Sequence, residues 1–266
     1  MVPLDTPAVI ASAVTALLVG GPTLHLSYGG LSILTDPTFD APGEYPGGVT
    51  LHKLSGPAVQ SSELGTIDLV LLSHDQHADN LDVSGRELLS DVSLVLSTGE
   101  AASRLDGIVT ALPTWTSVTQ SSPHGGSVEI MAVPAQHGPD GSRELVGEVT
   151  GFVLRSDGLP TIYVSGDNAS VAVVEEIAAR VGAIDVAVLF VGAANVGHFG
   201  DTDLTLNALT AVRAARALGD AVIVPVHTDD WAHFSETVER LKREFEYAGF
   251  AERLVVPQKG VRFELA

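Results

Sequence analysis

The stretch "IDLVLLSHDQHADNLD", residues 67–82, decides how this chain is interpreted. Its first half is a continuous apolar run of strand length, which is typical of a strand covered on both faces. Its second half, from residue 73 onward, contains two histidines and three aspartates within ten residues. Imidazole and carboxylate groups are ligands for divalent metals, so a strand that opens directly into them predicts a metal site.

The composition limits the classes of partner. The chain has 266 residues, of which 45% are hydrophobic, and we expect a single domain over residues 1–266. With 33 acidic and 14 basic residues the net charge is −19, which repels phosphate backbones and anionic lipids. We therefore expect a small-molecule substrate and neither nucleic acid nor a membrane as partner. The chain contains no cysteine, which excludes thiolate nucleophiles and Cys-ligated zinc.

The first residues contain an apolar stretch at 9–21. It is too short to span a bilayer and lacks the basic flank of a signal peptide. We therefore expect a cytoplasmic protein, and the sequence leaves open whether it forms a homo-oligomer.

The chain begins β-rich and ends with alternating strands and helices. Residues 23–28 and 31–36 predict a hairpin around Gly29 and Gly30. Further apolar runs predict strands at residues 67–73, 92–97, 127–135, 149–156, 160–167, 185–193, 221–227 and 252–257. Helical patterns lie at residues 170–181, 203–218 and 235–248, with Ser170 and Ser235 as N-caps. Two sheets packed face to face with helices outside account for this order, and a single doubly wound sheet is the alternative.

Four other predicted strands also end in ligand-type residues. These are Asp36, His137, Asp167 and His227. Sites in α/β sheets gather at the carboxyl ends of strands. A single histidine after a strand is most often structural, but the repeated placement predicts one shared metal site.

Taken in order, "SHDQHADNLD", "AQHG", "SGDN" and "PVHTDDWAHF" resemble the motifs of the metallo-β-lactamase-fold hydrolases. The branch they resemble most includes the ascorbate-6-phosphate lactonases, which "LTDPTF" and "GEYPGG" also echo. The resemblance covers roughly residues 20 to 260. It implies an α/β fold (α+β in some schemes), a four-layer αββα sandwich of two facing mixed sheets with helices outside.

In this family an H-x-H-x-D-H motif, a later His, a bridging Asp and a final His hold two metals. The ligands that the resemblance implies are His74, His77, Asp79, His137, Asp167 and His227. If the motif is aligned without a gap, Asp75 stands at the position of the first His. If the alignment is anchored on the Ser-His pair, His74 stands there and one residue is inserted. We favour His74, because the apolar run then ends at the same point as in the family. Under both alignments Asn80 replaces the last His.

This replacement affects the expected metals. An amide oxygen is a weaker and harder ligand than imidazole, so an oxygen-rich second site suits manganese or magnesium better than a histidine-rich site does. We expect one or two divalent metal ions, zinc or manganese, with the second site weakened. Asp75, Asn80 and Asp36 are candidates for a metal ligand or for a residue behind the ligands, and Asp36 could accept a hydrogen bond from a ligand imidazole.

The resemblance implies hydrolysis of a small ester, lactone or phosphoester by a metal-activated water. Asp79 and His227 are the implied catalytic residues, and Asp79 would orient the water. We predict a substrate pocket that includes Asn195, His198, Trp231 and His233. A solvated loop position is an equal alternative for His198, and simple packing is the favoured role of Trp231. The alternative hypothesis is a non-hydrolytic member with a degenerate metal site, which Asn80 and Gln76 favour.

Overall fold

The computed structural model describes residues 14–122 and 125–265. Its strands are β1 (Thr15–Gly20), β2 (Thr23–Tyr28), β3 (Leu31–Thr35), β4 (Gly43–Tyr45), β5 (Leu51–Lys53), β6 (Leu69–Leu71), β7 (Leu94–Ser97), β8 (Thr110–Ala111), β9 (Ser117–Ser121), β10 (Ser127–Pro134), β11 (Thr150–Arg155), β12 (Ile162–Val164), β13 (Val186–Phe190), β14 (Val222–Val226) and β15 (Arg262–Glu264). Its α-helices are α1 (Val83–Leu88), α2 (Gly99–Arg104), α3 (Arg143–Val146), α4 (Val171–Val181), α5 (Ala208–Ala217) and α6 (Val238–Tyr247). None of the helices in this part of the chain has the length and apolar character needed to cross a membrane.

Two mixed sheets form the centre of the fold. The first has seven strands in the order β15-β1-β2-β3-β6-β7-β8, antiparallel up to β3 and parallel from there on. The second has six strands in the order β14-β13-β12-β11-β10-β9, parallel from β14 to β12 and antiparallel beyond. Strands β4 and β5 form a separate antiparallel hairpin.

The apolar side chains are arranged in layers. Leu26 and Ile33 of the first sheet and Ile130 and Phe152 of the second belong to one buried cluster between the sheets. A second cluster joins the outer face of the second sheet to α4, α5 and α6, and a third covers the outer face of the first sheet. Burial on both faces explains the continuous apolar strands. The expected four-layer αββα sandwich is thus confirmed.

The predicted helix at 170–181 begins and ends as expected. The Ser170 hydroxyl accepts a hydrogen bond from the Val173 amide at 3.3 Å, and Val174 and Ile177 face the core. The cap predicted at Ser235 is wrong, because its hydroxyl donates to the Ala193 carbonyl at 2.8 Å and Thr237 caps α6 instead.

The strand predicted at 252–257 is also wrong. The segment starts with a 3-10 helix, Ala251–Arg253, and then makes only an isolated bridge between Leu254 and Ile223. The Val255 amide donates to the Ile223 carbonyl of β14 at 2.9 Å and Leu254 packs against the second apolar cluster, but the pairing is too short to count as a strand.

A buried ion pair fixes the β4–β5 hairpin above the carboxyl ends of the strands. Lys53 Nζ donates to Asp82 Oδ2 at 2.8 Å, and the two side chains are 3% and 0% exposed. Asp82 also accepts from the amides of Phe39 and Gly85, so it caps α1 at the same time. The Trp231 ring packs below Lys53, with 5.5 Å between the ammonium and the ring centre. The buried ion pair between Lys53 and Asp82 therefore holds the hairpin in place.

Candidate metal centre

Six side chains converge where four strands end. They follow β6 (His74, His77, Asp79), β10 (His137), β12 (Asp167) and β14 (His227). They form two sets, and in each set all candidate ligand atoms lie within 4.8 Å of one another: His74, His77, His137 and Asp167 in the first set, and Asp79, Asp167 and His227 in the second. Asp167 belongs to both sets, so the sets share one carboxylate.

The two oxygens of Asp167 face different sets. Asp167 Oδ2 lies 3.6 Å from His137 Nε2 and 3.9 Å from His74 Nε2. Asp167 Oδ1 lies 3.6 Å from His227 Nε2, which is 3.3 Å from Asp79 Oδ2. A carboxylate that presents one oxygen to each of two ligand sets can bridge two cations.

The donor atoms fit a divalent cation. Among the residues that the structure describes, Asp167 Oδ2 and His227 Nε2 are buried and have no hydrogen-bond partner. Leaving buried polar atoms unpaired costs about 1–3 kcal/mol each, and one cation in each ligand set would satisfy them. Neutral imidazoles and carboxylates are also the donors that zinc and manganese accept in proteins.

The local electrostatics hold three of the six groups in the protonation states that ligands need. Burial, together with the neighbouring imidazoles, lowers the pKa of His74 and of His77. Burial alone would raise the pKa of Asp79, but His233 and His227 hold it well below its usual range. At neutral pH His74 and His77 therefore offer free lone pairs, and Asp79 is a carboxylate. For His227, burial alone would lower the pKa, but the carboxylates of Asp167 and Asp79 raise it above its usual value.

A chain of hydrogen bonds orients His74 from behind. The Ser73 hydroxyl donates to Asp36 Oδ2 at 2.7 Å, so it accepts from His74 Nδ1 at 2.9 Å. The Ser73 amide donates to Asp36 Oδ1 at 2.6 Å, and burial raises the pKa of Asp36 to about 7. With its proton on Nδ1, His74 presents an unprotonated Nε2 to the first set, and Asp36 lies behind the ligands.

Asp75 takes no part in either set, which contradicts its interpretation as a ligand. Its Oδ1 accepts from Arg104 Nη2 at 2.6 Å and its Oδ2 from Arg104 Nε at 3.0 Å. This paired, two-oxygen contact turns the carboxylate away from His74 and toward α2. Of the two alignments, the one anchored on Ser-His matches the observed placement.

Asn80 stands where the family motif has a histidine, and it contacts the carboxylate that the two sets share. Its Nδ2 donates to Asp36 Oδ2 at 3.1 Å and to Asp167 Oδ1 at 3.3 Å. Because carboxylates only accept, the amide must turn its NH2 toward them, and its oxygen cannot face the same point. Asn80 therefore donates to Asp167, while its Oδ1 is buried and has no hydrogen-bond partner among the described residues, so the amide oxygen stays a candidate ligand.

A cavity of about 310 Å³ opens above the metal centre. His77, Asp79 and His137 form its floor, and His198 and His233 line it as predicted. His233 Nε2 lies 2.9 Å from Asp79 Oδ2, which ties the cavity wall to the second ligand set. The sequence did not predict the hairpin wall, although the motif "GEYPGG" of the resemblance lies in it: Tyr45, Pro46, Gly47, Gly48, Val49 and Leu51 line the cavity.

Two of the predicted pocket residues, Asn195 and Trp231, do not line this cavity, and neither does the predicted catalytic residue His227. Asn195 donates to the Gly200 carbonyl at 3.2 Å and shapes its own loop. Trp231 is 2% exposed and packs under the hairpin, with its ring 5.2 Å from that of Tyr45. His227 is fully buried, so its place is among the ligands and it cannot meet a substrate.

The backbone is strained where it delivers these side chains. Asp36 and His227 have φ values of 27° and 56°, in the left-handed region that non-glycine residues rarely adopt. Gly166, just before Asp167, has φ 57°, and a Cβ there would lie 2.6 Å from the Thr150 carbonyl oxygen. Glycine is therefore required at the turn that carries the carboxylate shared by the two ligand sets.

Comparison with known proteins assigns the family. Residues 32–228 match the family described as beta-lactamase superfamily domain. A UPF0173 metal-dependent hydrolase of Pyrococcus furiosus is 27% identical over 219 residues, which cover 80% of this chain and 89% of that protein. An isothiocyanate hydrolase from Delia radicum gut bacteria has the same fold, with a TM-score of 0.80 and 20% identity over 95% of this chain and 99% of that one. Igni18, a metallo hydrolase of the archaeon Ignicoccus hospitalis, superposes with a TM-score of 0.69 and 22% identity, covering 96% of this chain and 100% of that one. The chain therefore belongs to the metallo-β-lactamase superfamily of metal-dependent hydrolases.

Proposed function

We propose that this metal-dependent hydrolase uses water to cleave a small ester, lactone or phosphoester in the cavity above the metal centre. The observation that carries the proposal is the shared carboxylate of Asp167, which joins two ligand sets below the cavity. These sets reach the cavity floor through His77, Asp79 and His137. A site with this form suits the activation of water beside a polarised substrate bond.

The two ligand sets differ in the cation that they favour. His74, His77, His137 and Asp167 give three imidazoles and one carboxylate, a donor set that suits zinc. Asp79, Asp167 and His227 give two carboxylates and one imidazole, and this oxygen-richer set is better suited to manganese. Because Asn80 stands where the family motif has a histidine, the second set has one imidazole fewer and is the weaker of the two.

A divalent cation held by these two ligand sets would lower the pKa of a bound water and polarise the bond under attack. Asp79 is ionised and lies on the cavity floor, where its carboxylate accepts a hydrogen bond from the attacking water and orients it. His233 contacts Asp79 from the cavity wall at 2.9 Å and holds that carboxylate in place. His233 is thus a positioning residue, and His227 acts only as a ligand.

Metal analysis combined with turnover tests the proposal. The protein is stripped with a chelator, reloaded with zinc or manganese, and assayed for bound metal and for hydrolysis of 4-nitrophenyl acetate, a lactone and bis(4-nitrophenyl) phosphate. We expect one to two metals per chain and turnover of at least one ester. Asp167→Ala should lose both properties, and the exposed Asp157→Ala is the matched control that should keep both. Protein that takes up no transition metal, or loaded protein that turns over none of these compounds, would contradict the proposal.

A further inference from the structure

The walls of the cavity are largely apolar. Tyr45, Val49 and Leu51 of the hairpin form one side, and Val146 and Leu204 form the other. Within the described part of the chain, no lysine or arginine belongs to the lining. Away from the floor, a bound molecule therefore meets mostly aliphatic and aromatic carbon, and the polar side chains of the wall are Gln76, His198 and His233.

The basic residues near the cavity are already paired with carboxylates. Lys53 is buried against Asp82 under the hairpin, and Arg104 binds Asp75 below the first ligand loop. Arg143, in the short helix beside the cavity, lies 3.1 Å from both Glu100 and Glu148.

None of these three cations belongs to the cavity lining. An anionic group placed there would lose its hydration without gaining a charged partner away from the floor.

We propose that the cavity selects neutral, largely apolar esters or lactones and discriminates against substrates that carry a phosphate or carboxylate away from the scissile bond. This inference rests on the hydrolytic function proposed above and names its substrate class. It departs from the phosphorylated substrate that the resemblance to the ascorbate-6-phosphate lactonases implies. The ligand sets below the cavity floor would compensate charge only at the scissile group. A second anionic group would lie against the largely apolar walls.

A matched pair of esters tests the selection. 4-Nitrophenyl hexanoate and mono(4-nitrophenyl) adipate share the leaving group and the chain length, and differ in the terminal carboxylate, which is too far from the ester to attack it readily. We expect kcat/KM of the metal-loaded protein to favour the hexanoate by at least about tenfold. Equal values, or a preference for the adipate, would overturn the inference.

Two lysine variants separate the cavity from the general negative charge of the protein. Leu145 lines the cavity and is 68% exposed, so Leu145→Lys places a cation at the rim without disturbing the core. Leu209, in α5, is 53% exposed and lies outside the lining, so Leu209→Lys changes the net charge equally. We expect Leu145→Lys to lower the ratio of kcat/KM for the neutral ester to that for the anionic ester by about fivefold, which is the effect of one nearby charge in water. Leu209→Lys should leave this ratio unchanged. Equal effects of both variants would assign the preference to net charge and overturn the inference.

Binding to metal-free protein tests the same selection without catalysis. The two amides N-(4-nitrophenyl)butyramide and N-(4-nitrophenyl)succinamic acid are titrated calorimetrically into chelator-treated protein. We expect the neutral amide to bind more tightly than the acid. If no ester is turned over but this order holds, the hydrolytic function fails and the cavity selection stands. If the acid binds as tightly as the amide, the inference about the cavity is wrong, whatever the activity.

Discussion

Replacing Ser73 with alanine should weaken the first metal site without touching a ligand. The substitution removes two hydrogen bonds, the one of 2.7 Å to Asp36 and the one of 2.9 Å from His74. Asp36 Oδ2 keeps the amide of Asn80 at 3.1 Å, so most of the loss falls on His74, whose Nδ1–H then has no acceptor. The backbone bond from the amide of residue 73 to Asp36 is kept, so the loop retains its path.

The size of the effect follows from the position of Ser73 behind a ligand. Removing a partner behind a metal-binding histidine usually lowers metal affinity by about 10–100-fold. An unpaired buried N–H costs about 1–3 kcal/mol, so the metal-free variant should also unfold more easily. Both effects arise because His74 loses its fixed tautomer and orientation.

A competition titration with a chromogenic zinc chelator measures the first effect, and urea denaturation measures the second. Ser97→Ala is the matched control, since in the described part of the chain this buried hydroxyl has no hydrogen-bond partner. We expect Ser97→Ala to keep zinc affinity and stability close to those of the unmodified protein. An affinity of Ser73→Ala within twofold of the unmodified protein would refute this reasoning.

Three further predictions concern the same region. His74→Ala should lose metal from the first set while Asp75→Asn retains it, which elemental analysis of the two purified variants distinguishes. Burial raises the pKa of Asp36 to about 7 in the folded metal-free protein, above its value in the unfolded chain. Below about pH 4 Asp36 is protonated in both states and does not change the free energy of unfolding, whereas between pH 4 and pH 7 it lowers that free energy increasingly. In denaturant titrations of chelated protein, Asp36→Asn should therefore gain stability relative to the unmodified protein across that interval, and a constant difference would contradict the assigned shift. Gly166→Ala should lose about 3 kcal/mol in urea denaturation, because its Cβ would press on the Thr150 carbonyl at a φ of 57°; a loss below about 1 kcal/mol would show that the turn relaxes easily.

Local sequence patterns predicted the parts of the site that depend on neighbouring residues. Each ligand follows an apolar run within a few positions, and strands buried on both faces have a distinctive composition. The order of the motifs then indicated the fold, because the family places the same residue types after the same strands. The six expected ligands accordingly lie together in the structure.

Long-range contacts determined what the sequence could not predict. The choice between His74 and Asp75 depends on Arg104, which is 29 positions away from Asp75 and shows no motif. The hairpin wall was missed because β4 and β5 have only three residues each and are largely exposed, so they show no clear alternation. Its position depends on the ion pair between Lys53 and Asp82, which no periodicity reveals.

The division of the ligands between the two sheets has a consequence for the order of folding. His74 and Asp79 follow a strand of the seven-stranded sheet, whereas His137, Asp167 and His227 follow strands of the six-stranded sheet. Neither half of the chain carries a complete set, so the centre exists only after the halves have docked. A cation that binds only the docked state stabilises that state by mass action. Metal uptake should therefore stabilise the docked sheets and slow their separation during unfolding.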